Sequence, residues 1–184
     1  MDAIINNTKT LINFLVKNYI KKVDCAVDMT VGNGYDSKMI LDILNPEKLY
    51  CFDIQKNAIE NTNKLLENYS NYILILDSHT NFLNYVKEKI DFAIYNLGYL
   101  PNGDKTITTN ALDVEESLSK LLENLNEKAI VLITFYIGHN SGLVESEKIG
   151  NFLKKLNQKE FTVLEFNFKN QKNNPPYVVM IQRV

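Results

Sequence analysis

Three aspartates stand where short apolar runs of the sequence end. Val27-Asp28-Met29-Thr30-Val31-Gly32-Asn33-Gly34 closes the first run, Asp53 follows Leu49–Phe52, and Asp77-Ser78 follows Ile73–Leu76. Glycines after a strand let the backbone approach a ligand above the start of a helix. Asp53, 19 residues past Gly34, can grip both hydroxyls of a ribose. Together they point to a cofactor that carries adenosine. A dinucleotide site requires G-x-G-x-x-G/A, but here the third position is Ser37 and Asp28 precedes the glycines. A carboxylate would repel a pyrophosphate and attract the ammonium of a methionine moiety. The pattern D-x-x-x-G-x-G therefore favours S-adenosyl-L-methionine over NAD, with Asp77-Ser78 placed to read the adenine edge. No Walker A loop is present, which argues against a nucleoside triphosphatase.

Two further segments could act on an acceptor. Asn96-Leu97-Gly98-Tyr99-Leu100-Pro101-Asn102-Gly103-Asp104-Lys105 is longer than the ~2–6 residues usual between a strand and a helix, and such loops are often functional. An amide oxygen on Asn96 can accept a hydrogen bond from an attacking amine, and Tyr99 can stack a base. Tyr136-Ile137-Gly138-His139-Asn140-Ser141-Gly142 follows the longest apolar run. His139 titrates in the range needed of a proton acceptor, and Asp104 is the reserve. Asn173-Asn174-Pro175-Pro176-Tyr177 resembles the N-P-P-Y motif of DNA adenine methyltransferases, but it precedes the final strand instead of following the strand after Asp77. It reads as a rigid hairpin turn.

The elements that must position these residues follow from periodicity. Ile12, Leu15, Val16, Tyr19 and Val23 predict an opening amphipathic helix over about 8–23. Runs at 25–29, 49–52, 73–76, 92–95 and 129–136 alternate with helical stripes, of which Leu118, Leu121, Leu122 and Leu125 form the clearest. Residues 161–168 and 177–181 read as a closing hairpin. Alternating strands and helices imply right-handed crossovers. The expected fold is α/β, one doubly wound domain over 1–184 with a mostly parallel seven-stranded sheet and an antiparallel C-terminal strand.

Composition bounds the partners. Among 184 residues, 20 basic and 22 acidic side chains leave a net charge of −2, so no global field draws the chain to nucleic acid or anionic membrane. Arg183 is the sole arginine, which disfavours recognition by arginine forks on phosphate. Any RNA contact would have to be local, through Lys105, Lys17–Lys22 or Lys154–Lys159. Cys25 and Cys51 sit in apolar runs and read as buried free thiols of a reduced compartment. No export signal and no run of about 18 apolar residues is present, so the expectation is a cytoplasmic protein without membrane or metal.

Asp28–Ser37, Asp77-Ser78-His79, Asn96–Lys105, Tyr136–His139 and Asn173–Pro176 together resemble the tRNA 5-aminomethyl-2-thiouridine methyltransferases, a small family formerly labelled rRNA methylases. The resemblance spans nearly the whole chain, with Met29-Thr30, Ser37 and Ser141 as small departures. It implies a class I methyltransferase, commonly a homodimer, that moves a methyl group from S-adenosylmethionine to the aminomethyl nitrogen of the wobble uridine in a tRNA anticodon loop. The candidate donor site comprises Asp28, Thr30, Gly32, Asn33, Gly34, Asp36, Asp53, Ile54, Asp77, Ser78 and Asn96. The candidate acceptor site comprises Leu97, Gly98, Tyr99, Leu100, Lys105, Tyr136 and His139, with Asn96, Tyr99, His139 and Asp104 as catalytic candidates. The alternatives are an rRNA base or small-molecule N-methyltransferase, and a non-catalytic adenosylmethionine- or RNA-binding module.

Overall fold

Residues 25–28, 49–52, 92–95 and 129–135 are buried on both faces, which an isolated sheet face cannot provide and two covering helical layers can. The computed structural model describes residues 4–98, 110–138 and 140–184. Its strands are β1 (Cys25–Asp28), β2 (Lys48–Asp53), β3 (Tyr72–Leu76), β4 (Ile90–Leu97), β5 (Leu125–Phe135), β6 (Phe161–Phe166) and β7 (Tyr177–Arg183). Their spatial order is β3-β2-β1-β4-β5-β7-β6. Pairing is parallel from β3 to β5, while β7 runs antiparallel to both β5 and β6. The chain therefore moves outward from β1 to β3, then crosses back to β4. This reversal opens a crevice between β1 and β4 at their carboxyl ends.

The period of two along each strand sorts the core into two halves. Phe92 and Ile94 of β4 face α1 (Thr8–Tyr19), α2 (Tyr35–Ile43) and α3 (Lys56–Leu65). Ala93, Tyr95 and Leu97 face the 3-10 helix His79–Asn84, α4 (Ala111–Glu123) and α5 (Asn140–Leu153). Cys25 and Cys51 are free and buried, on opposite faces of adjacent strands, so they cannot form a disulfide. Burial pushes the Cys25 thiol up to about 12.

Several boundaries differ from the periodicity reading. Helix α1 starts on a capping box between Asn7 and Thr10 and ends at Tyr19, because Ile20 turns extended. Tyr19 is consequently exposed, and Val23 reaches the core from the extended segment leading into β1. Strand β5 begins at Leu125, four residues before the apolar run. Its register slips between the Ile90–Leu125 and Phe92–Ile130 pairs, with Lys128 at φ 64°.

The β1–α2 turn depends on Gly34, which caps α2 at φ 80°. A Cβ there would lie 2.8 Å from the Thr62 side chain, while the Thr62 hydroxyl donates to the Gly32 carbonyl at 3.1 Å. Gly34→Ala is expected to lower stability by about 1–3 kcal/mol through left-handed strain and the clash with Thr62, measured by urea unfolding.

Candidate active site

The β1–α2 loop is tied to the end of β2 by hydrogen bonds. Val31 N–H donates to the Phe52 carbonyl at 2.9 Å, and Gly32 N–H donates to Asp53 Oδ2 at 2.9 Å. Asp53 Oδ1 accepts from Gln55 N–H at 2.9 Å. Burial raises its pKa, opposed by these amides. Each carboxylate oxygen keeps a further lone pair, enough for a pair of vicinal hydroxyls. At the end of β3, Asp77 accepts from Ser78 N–H, Asn81 and the Tyr85 hydroxyl, which holds its carboxyl below the usual range. Asp77 thereby pins the 3-10 helix, which begins with Ser78 as its cap.

A cleft of about 1370 Å³ runs along these strand ends. That exceeds the ~300–1,000 Å³ of a usual small-molecule pocket, leaving room for a donor and an acceptor together. Of the predicted residues, Thr30, Gly32, Asn33, Asp36, Asp53, Ile54, Asp77, Ser78, Asn96, Gly98 and Tyr136 line it. Tyr99, Leu100, Asp104, Lys105 and His139 lie outside the described residues.

Three predicted residues do not reach the cleft wall. Gly34 is buried and serves the turn. Leu97 is 1% exposed in the core, because Asn96 faces the cleft and its neighbour must face the other way. Asp28 is fully buried, accepting from the Ser37 hydroxyl at 2.6 Å and from Thr30 N–H at 3.2 Å. Asp36, at the first turn of α2, does line the cleft.

Asp36 organises the centre of the site. Asn96 donates its side-chain N–H to Asp36 Oδ2 at 2.5 Å, and its backbone N–H to Thr30 Oγ1 at 2.7 Å. A carboxylate facing the amide requires the NH2 side, so Asn96 Oδ1 is left as the acceptor. Burial raises the Asp36 pKa, opposed by Asn96 and by Lys9 of α1. Lys9 also stands 5.7 Å over the Tyr35 ring. Tyr136 lies beside the same carboxylate, and both burial and the Asp36 charge raise its phenol.

Sequence reasoning missed several cleft residues. Thr8, Lys9 and Ile12 come from α1, Asn110 and Asp113 from the start of α4, and Lys172–Pro176 from the β6–β7 hairpin. His79 also lines the cleft, edge-on to Tyr95 at 5.8 Å, with Nδ1 buried and unpartnered. Burial pushes its pKa down to about 4, so it is neutral near pH 7. No group of three metal-ligating side chains stands together among the described residues. No helix there is long and apolar enough to cross a membrane.

Burial and the charge of Asp36 push Asp28 up to about 7, well above the usual ~3.9 of an unfolded aspartate. Between about pH 4 and 7 the folded protein holds a proton that the unfolded chain has released. The contribution of Asp28 to stability is therefore complete below pH 4 and lost as pH rises through 7. Asp28→Asn should flatten this part of the stability profile and gain on the wild type as pH rises. The gain should reach at most about 4 kcal/mol, from about 1.4 kcal/mol per pKa unit, measured by urea unfolding at stepped pH.

The chain matches the family described as "Putative rRNA methylase" over residues 49–182. A chloroplastic tRNA (mnm(5)s(2)U34)-methyltransferase of Arabidopsis thaliana is 29% identical over 178 residues, 89% of this chain; the chain spans 65% of that relative's length. A solved structure from Clostridium thermocellum, described as a "putative rRNA-methylase", is 35% identical with a TM-score of 0.92, covering 98% of this chain and 100% of the other. A "putative methyltransferase" from Streptococcus mutans in complex with SAH is also 35% identical, with a TM-score of 0.89 and coverage of 98% and 100%. The N-methyltransferase NodS from Bradyrhizobium japonicum, at 9% identity and a TM-score of 0.70 over 96% of this chain and 94% of its own, shares the fold alone. The match over residues 49–182, together with the sheet shared with an SAH-bound relative at 35% identity, places the protein in this rRNA methylase family of class I methyltransferases, with S-adenosylmethionine as its cofactor.

Proposed function

We propose that the protein methylates the aminomethyl nitrogen of 5-aminomethyl-(2-thio)uridine at the tRNA wobble position, acting on the anticodon loop as a homodimer. The observation that carries this reading is the Asn96 amide, locked by Asp36 so that its oxygen is the free group. An oxygen acceptor fixed there suits a nucleophile that carries N–H bonds and must aim a lone pair. A module that only binds its ligand has no need of it. The Arabidopsis relative, a tRNA (mnm(5)s(2)U34)-methyltransferase, supports the same acceptor, as does the resemblance of the Asn96–Lys105 segment.

Asp53 would hold the ribose, Ile54 would pack against the adenine, and Asp36 would face the ammonium of the methionine end. When bound, S-adenosylmethionine supplies an electrophilic methyl on a sulfonium. Attack by the amine forms a C–N bond as the C–S bond breaks, sulfur keeping the electron pair. The new ammonium then releases a proton. An alkylamine with a pKa near ~10.4 is about one part in 2,500 neutral at pH 7, a cost of roughly 4.6 kcal/mol that the uracil ring reduces. A group must hold that proton. His79 at about 4 is too weak a base, so the role falls to His139, with Asp104 in reserve.

Mass spectrometry of tRNA nucleosides after incubation with protein and donor is the direct test. Conversion of aminomethyl-uridine to its methylated form is expected, whereas methylation confined to rRNA or to free small amines would overturn the proposal. Asp53→Ala should weaken S-adenosylhomocysteine binding about 10–150-fold in calorimetry, the equivalent of roughly 1.5–3 kcal/mol for hydrogen bonds to a charged group. Asn96→Ala should lose about 100-fold in single-turnover rate at every pH from about 6 to 9, as expected for a misaligned nucleophile. His139→Ala should instead lose turnover while donor binding persists.

A further inference from the structure

We propose that the β6–β7 hairpin reads the acceptor base, with Asn173 and Asn174 presenting their amides to the imide edge of a uracil-type ring. This rests on the uridine acceptor proposed above and adds the element that selects it.

The position follows from register. Asn96 pairs with Thr134, which pairs with Val178; one step on, Leu97, Phe135 and Tyr177 align. Pro176 therefore stands level with Tyr136 and Gly98, two strands or roughly 10 Å from the β4 end. The strand-end carboxylates Asp53 and Asp77 lie on the other side of β4, toward β3. A donor lying along β3, β2 and β1 brings its reactive end to β4, and the acceptor must then come from the side of β5 and β7. The hairpin is the wall on that side.

Its chemistry suits a base edge. Asn173 and Asn174 occupy consecutive left-handed conformations, φ 65° and 49°, which glycine and asparagine adopt most readily. Asparagine meets that demand and leaves an amide over. Both residues are exposed, and among the described residues neither amide has a hydrogen-bond partner. An amide offers one donor and one acceptor side by side, matching the adjacent N–H and C=O of an imide. The hairpin is also braced. Pro175 and Pro176 fix φ on one side, and Gln171 donates to the Asn6 carbonyl at 2.9 Å on the other. A braced loop presents its amides with little ordering cost.

The test is the double variant Asn173→Gly/Asn174→Gly, because glycine keeps the left-handed backbone and deletes only the amides. With tRNA bearing 5-aminomethyl-uridine, kcat/KM should fall about tenfold or more, mainly through KM. The calorimetric Kd for S-adenosylhomocysteine should stay within about twofold of wild type. If the variant keeps wild-type kcat/KM, or loses donor affinity in proportion, the hairpin is not the reader. A wild-type protein inert toward this tRNA would overturn both this assignment and the wobble-uridine reading. An active wild type beside an unimpaired variant would overturn the assignment alone.

Discussion

Strands β1, β2, β4 and β5 are covered on both faces, so a polar side chain can leave the interior only where a strand ends. That constraint places Asp53 and Asn96 on one rim, which Asp77 at the end of β3 extends. The bonds from Gly32 N–H to Asp53 and from Asn96 N–H to Thr30 then stitch the rim across β2, β1 and β4. Backbone donors that would otherwise lack partners at the strand ends are satisfied by side chains that also face the cleft. Positioning and binding thus draw on the same few groups. The left-handed Gly34 is part of this arrangement, since the loop must fold back over β2 before α2 can begin.

The succession of strands and helices along the chain was legible because the first four apolar runs end on an acid or amide and the helices between the strands show apolar stripes. The seven-stranded sheet and the antiparallel last strand followed from that, as did the places of Asp53, Asp77 and Asn96 along the cleft. Orientation was less legible. Asp28 and Asp53 both end strands, yet Asp28 turns beneath α2 to Ser37 while Asp53 faces the cleft. The sequence pattern is the same for both. Leu97 could have been excluded from the site by the period of two, given Asn96 beside it. The hairpin could have been placed too. If β7 runs antiparallel to β5, the segment before Tyr177 must stand beside Tyr136.

Charge in the site is arranged to avoid conflict between neighbours. Asp28 and Asp36 repel each other, and burial together with the Asp36 charge pushes Asp28 up to about 7. Asp36 keeps support from Asn96 and Lys9. Asp28 therefore acts as a buried hydrogen-bonding strut, while Asp36 lines the cleft beside Lys9.

The placement of β7 has a consequence for assembly. β6 touches the rest of the sheet only through β7, which follows it in sequence. Any opening that releases β7 must free β6 as well, and it strips the edge of β5 along Ile130–Phe135. Those residues are apolar but for one threonine and buried throughout. An uncovered strand of this kind is a ready template for another chain. The hairpin that walls the cleft is therefore also a cover for the β5 edge, and loosening it would be expected to show as aggregation before any loss of helix.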